Sequence, residues 1–132
     1  AQVMAAIHAA EARTSGEIRV HIERRKGGSA IGTAGRWFRR LGMEATVERN
    51  GILFYVAVDD REFAIVGDAG IHAKVGAACW EALRDAMRDD FAKGDAASGL
   101  IRAIGEAGLR LAEHFPRHSG DVNELPDEIS YT

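Results

Sequence analysis

Val3, Ile7 and Ala10, with Met4 alongside, recur at the spacing of one helix face and predict a first helix over residues 3–13. Thr14-Ser15-Gly16 stops it, Gly16 being suited to the left-handed position past a helix end. From Glu17 the period becomes two. Ile18, Val20 and Ile22 fall on one face, and Glu17, Arg19, His21 and Glu23 on the other, which predicts a strand covered on one side. After Gly27-Gly28-Ser29, the stripe Ile31, Ala34, Phe38 and Leu41 gives a second helix over about 30–41, ended by Gly42. Asn50-Gly51 then leads into Ile52–Val58, a continuous apolar run of the kind a central strand buried on both faces carries. Asp59-Asp60-Arg61 is a tight connection to a third strand, Glu62–Val66.

Gly67-Asp68-Ala69-Gly70 is the next break. A third helix follows, with Val75, Cys79, Ala82, Leu83, Ala86 and Met87 inward and Arg84, Asp85, Arg88 and Asp89 outward. Gly94-Asp95 separates it from a fourth helix over about 96–114. There Leu100, Ile104, Leu111 and Phe115 form one stripe, and Gly105, Gly108 and Ala112 a second, small-residue stripe suited to close packing. The order α-β-α-β-β-α-α predicts an α/β fold, a small mixed sheet with helices on both faces. Strands one and two should lie parallel, joined by a right-handed crossover, and strands two and three should form a hairpin. Residues 1–116 form the domain, and the polar residues 117–132, with Pro126, a tail packed on it or extending from it.

The composition agrees with one core. A chain of 132 residues with 46% hydrophobic and 28% charged residues is globular and too short for two ordinary domains. No apolar run approaches the ~20 residues that span a bilayer, so no transmembrane segment is expected. The first residues, Ala1-Gln2, read as a trimmed start. A cytoplasmic location is the first expectation, with an extracytoplasmic one, through a removed signal or anchor, left open. The single Cys79 excludes an intramolecular disulfide and a cysteine zinc finger, and its place in a helical pattern suits a small buried apolar residue. A net charge of −3 argues against a nucleic-acid partner. Arg24-Arg25-Lys26 and Arg36, Arg39 and Arg40 read as solvated faces.

The strand directions bring Glu17, Arg49, Asn50 and Asp68 to one edge of the sheet and Asp59 and Asp60 to the other. Seven strand residues separate these edges by roughly 20 Å, so the two acidic groups cannot share a site. Asp59, Asp60 and Arg61 are best explained as turn chemistry. Glu17, Asp68 and His72, beside Gly67 and Gly70, are the candidate ligands of a divalent cation: calcium or magnesium through oxygen, a transition metal if the histidine takes part. The structural alternative is that Asp68 caps the following helix and His72 is an exposed helical residue. His8, His21, His114 and His118 are scattered, and read as surface or partly buried residues. No P-loop, Gly-x-Ser-x-Gly, His-Glu-x-x-His or Cys–His pairing is present.

Thr14-Ser15-Gly16-Glu17-Ile18-Arg19-Val20, Arg49-Asn50-Gly51-Ile52-Leu53, Asp60-Arg61 and Gly67-Asp68-Ala69-Gly70-Ile71-His72 together resemble the TPM-domain family. Phe91-Ala92-Lys93-Gly94-Asp95 and Asn123-Glu124-Leu125-Pro126-Asp127-Glu128-Ile129 resemble its small stand-alone bacterial branch. The resemblance implies a small sheet flanked by helices. For function it implies three things found among members: acid phosphatase activity, calcium binding, and interaction with membrane-associated proteins. Arg49 and His72 stand where many members carry acidic residues, which removes two oxygen ligands. Two expectations follow. The first is a binding module, assisting membrane-associated partners through the same edge, with Arg49 and Asn50 contacting the partner, or through the tail, and holding a divalent cation. The second is a metal-dependent acid phosphatase, in which Glu17, Asp68 and His72 hold the cation. There Arg49 and Asn50 face the phosphate, and metal-activated water attacks in place of a side-chain nucleophile.

Overall fold

The computed structural model describes residues 2–24, 28–117 and 129–131. In chain order these form α1 (Gln2–Glu11), β1 (Glu17–Glu23), α2 (Ala30–Arg40), a single 3-10 turn (Met43–Ala45) and β2 (Gly51–Ala57). β3 (Glu62–Gly67), α3 (Ala69–Ala92), α4 (Ala96–His114) and β4 (Ile129–Tyr131) complete it. The sheet order is β3-β2-β1-β4, with β1 parallel to β2 and β4, and β2 antiparallel to β3. The mixed α/β architecture expected from the sequence is therefore present, with one strand more.

Two cores flank the sheet. On one face Ile18, Val20, Ile52, Phe54 and Ile65 pack against Ile7 of α1, Trp80, Leu83 and Met87 of α3, and Leu100, Ile104 and Leu111 of α4. On the other, Tyr55, Ala57 and Ala64 pack under Ala34 and Trp37 of α2, and Leu53 packs under Phe38 and Met43. Every residue of β2 is buried, as its unbroken apolar run requires. No helix among the described residues is long and apolar enough to cross a membrane.

Three local expectations need correction. β1 is covered on both sides. Its polar face, Glu17, Arg19 and His21, is 2%, 7% and 1% exposed, because Trp37 of α2 stacks on the His21 ring at a centroid distance of 3.9 Å. Gly16 does not take the left-handed conformation. It is needed for space, since a Cβ there would lie 2.7 Å from a Leu111 methyl and 3.2 Å from the Asn50 carbonyl oxygen. α1 ends at Glu11 instead of near 13, and the Glu11 carboxylate accepts the Ile18 N–H at 2.7 Å, tying the helix to β1. α3 begins at Ala69, directly after Asp68, in keeping with the alternative that Asp68 caps it and His72 is helical. Its periodicity is interrupted at Gly76, where the backbone (φ 76°, ψ 172°) kinks the helix and hides its first turn from a sequence pattern.

The tail returns to the sheet. Ile129, Ser130 and Tyr131 pair with Val20, His21 and Ile22. Its intervening acidic stretch lies outside the described residues, as does His118. His21 Nδ1 and Ser130 Oγ are 2.7 Å apart, and the same hydroxyl donates to the Val20 carbonyl at 3.4 Å. Burial lowers the His21 pKa from its ordinary value, with Glu23 opposing and Arg19 reinforcing the shift. Beside it, burial and the hydrogen bond donated to the Glu23 carboxylate push the Tyr55 pKa up.

Candidate functional site

The starts of β1 and β2 and the end of β3 meet at one edge. The Glu17 N–H donates to the Asn50 carbonyl at 3.4 Å, and the Asp68 N–H donates to the Gly51 carbonyl at 2.9 Å. Between them the chain turns through Arg49, a non-glycine residue with φ of 52°. Its carbonyl accepts from the Gly70 N–H at 2.7 Å and the Ile71 N–H at 3.3 Å, so the first turn of α3 grips the loop before β2. Gly70 makes that approach possible: a Cβ there would lie 2.0 Å from the Glu48 carbonyl oxygen.

The side chains sort into two groups. Arg49 donates Nε and Nη2 to the two oxygens of Asp68, both at 2.7 Å. Asp68 Oδ1 also accepts the Ala69 N–H at 2.7 Å, capping α3. The hydrogen bonds to Asp68, and then its charge, raise the Arg49 pKa. Asp68 is nearly buried (5% of its side chain exposed) and Arg49 half-exposed at 48%. His72 is engaged within its own helix, where its Nδ1 accepts the indole N–H of Trp80 at 2.8 Å, the rings being nearly parallel.

The second group surrounds Asn50, which is 1% exposed. Its Nδ2 lies 3.4 Å from both Ser15 Oγ and Glu48 Oε2, and the Ser15 hydroxyl donates to the same Glu48 oxygen at 3.3 Å. Asn50 Oδ1 is buried and has no hydrogen-bond partner among the described residues. A buried amide oxygen left in that state costs on the order of 1–3 kcal/mol, which a bound water or cation would relieve.

Glu17, Arg49, Asn50, Asp68 and His72 thus share the edge to which the strand directions assign them. Among the described residues, however, no three His, Cys, Asp or Glu side chains converge into a group able to hold a metal ion. Asp59, Asp60 and Arg61 sit at the far end in the β2–β3 turn, where the Arg61 N–H donates to the Val58 carbonyl at 3.2 Å and Asp59 meets Arg24 at 3.4 Å. Ser15 and Glu48 were not singled out from the sequence. They reach Asn50 only through folding, and the one sequence signal pointing to them is their adjacency to the Gly16-Glu17 and Asn50-Gly51 pairs.

Comparison with known proteins agrees with the fold. The family model for the TPM domain matches residues 1–109. No curated protein matches the chain. The NMR structure of the BA42 protein from the psychrophilic bacterium Bizionia argentinensis is 41% identical over 98% of this chain and 90% of its own, with a TM-score of 0.91. The N-terminal domain of the cg2496 protein from Corynebacterium glutamicum is 16% identical over 97% of this chain and 74% of its own, with a TM-score of 0.64. An N-terminal domain from P. gingivalis is 20% identical over 86% of this chain and 76% of its own, with a TM-score of 0.66. The last two share the fold alone.

Proposed function

This chain belongs to the TPM domain family, and from that premise we propose that it is a binding module whose Asn50 edge takes a divalent cation. The observation that carries the reading is Asn50 Oδ1, an oxygen buried without a hydrogen-bond partner among the described residues. Ser15 Oγ and the Glu48 carboxylate lie around the same amide. Amide, hydroxyl and carboxylate oxygens are the donor set of a hard cation, calcium or magnesium. Asn50, Ser15 and Glu48 would hold it, and its charge would serve to bind an anionic group of a partner.

His72 and Asp68 are secondary in this reading. His72 Nδ1 is engaged by Trp80, and Asp68 is clamped by Arg49 and the start of α3. That same clamp supports binding over hydrolysis. A phosphatase would need Arg49 for phosphate and Asp68 for metal, while here each satisfies the other. The partner class remains the one implied by the family, a membrane-associated protein.

Thermal melting with calcium, magnesium, manganese and zinc tests the proposal. Calcium or magnesium should raise the melting temperature of the parent chain, by the equivalent of about 2.7 kcal/mol at a hundredfold excess over Kd. Asn50→Ala and Glu48→Gln should abolish the rise. No rise with any of the four ions overturns the cation site. Metal-dependent hydrolysis of p-nitrophenyl phosphate that disappears in Asp68→Ala would reinstate the phosphatase.

A further inference from the structure

At the end of the sheet opposite Asn50, a cleft of about 780 Å³ opens between the β2–β3 hairpin and the last turns of α3. Its floor is apolar. Val56 and Phe63 from the sheet and Phe91 from α3 line it, the rings of Phe63 and Phe91 standing 4.9 Å apart and tilted by 54°. Val58 at its rim is 53% exposed. Its walls are basic: Arg61 comes from the hairpin, and Arg84 and Arg88 from successive turns of α3, against the single acid Glu62.

These charges are poorly compensated. Arg88 meets Asp85 in an exposed contact at 3.3 Å. Among the described residues neither Arg61 nor Arg84 has a carboxylate within ion-pair distance, although acidic residues outnumber basic ones by 20 to 17 over the whole chain. An open apolar floor and uncompensated guanidiniums are both relieved by one kind of occupant, which carries apolar surface and negative charge together.

We propose that this cleft docks an acidic peptide segment of a partner protein, an apolar side chain seated on Phe63 and Phe91 and its flanking carboxylates on Arg84, Arg88 and Arg61. Arg84 and Arg88, four residues apart on a helix, are separated by about 5–6 Å at Cβ. Both phenyl rings are partly buried and tilted against each other, so neither offers an open face for a base to stack on. The surface is separate from the Asn50 edge, and the inference does not depend on the cation.

The test is fluorescence anisotropy with the full chain and a labelled peptide alternating leucine with aspartate and glutamate. Binding should weaken at least about tenfold in Arg84→Glu/Arg88→Glu and several-fold in Arg61→Ala, and should weaken as salt rises to about 0.5 M. All three positions are exposed or half-exposed, so circular dichroism should show the fold retained. The proposal is overturned if the isosteric asparagine/glutamine peptide binds equally well, or if an oligonucleotide of equal charge does. Unchanged affinity in the charge-reversed variant overturns it too. So does sedimentation that finds a dimer which the reversal dissolves, because the cleft would then belong to a second copy of this chain.

Discussion

Arg49 holds a backbone angle that most side chains avoid, and it does so because both its carbonyl and its guanidinium are fixed to the start of α3. The tightest point of that junction is Gly70. Gly70→Ala must push the added carbon against the Glu48 and Arg49 carbonyls, and should lower stability by about 1–3 kcal/mol, read as a lower urea midpoint. A different residue contributes to the response to acid. Because burial holds the folded pKa of His21 below its ordinary 6.5, the unfolded chain takes up the proton first as pH falls. Its stabilising contribution is full above pH 6.5 and is lost progressively below it. Melting temperatures measured from neutral pH down to about pH 5 should fall, and His21→Gln should flatten that slope. Asn50 was legible beside Gly51 as the opening of a strand. The roles of Ser15 and Glu48 were not, since the contact joining them spans 33 residues. Likewise His72 finds its partner eight residues along α3, beyond the Gly76 kink, where regular helical spacing no longer applies.

Among the elements, β2 was the clearest in the sequence because burial on both faces leaves no polar position to confuse the pattern. β1 misled for the opposite reason. Alternation of Glu17, Arg19 and His21 with apolar residues suggests solvent, yet the covering helix supplies an aromatic ring and β4 supplies a hydroxyl. β4 itself carries three residues, too few for a period to be visible. Its energetic role is checkable. A chain ending at Glu128 should lose the pairing with Val20–Ile22 and the Ser130 contact to His21, lowering stability by roughly 1–3 kcal/mol in urea denaturation. The newly bare flank of β1 should also make the shortened chain more prone to aggregate.

At the scale of the molecule, the parallel β1–β2 pair and the β2–β3 hairpin put the Asn50 edge and the arginine cleft at opposite ends of one short sheet. Sites that far apart, with no side chain in common, should behave independently. Arg84→Glu/Arg88→Glu should leave the midpoint of a cation titration within about twofold, and Asn50→Ala should do the same for peptide binding. The place of β4 has one more consequence, in time. Ser130 meets His21 across 109 positions of sequence, and Pro116 bridges to Thr14 across nearly as many. During synthesis the flank of β1 therefore stays unpaired until residues past 129 clear the ribosome, long after β1, β2 and their helices have emerged. Closure of the sheet is therefore a late step for this stretch of chain, and nascent β1 is the segment that a chaperone would have reason to shield.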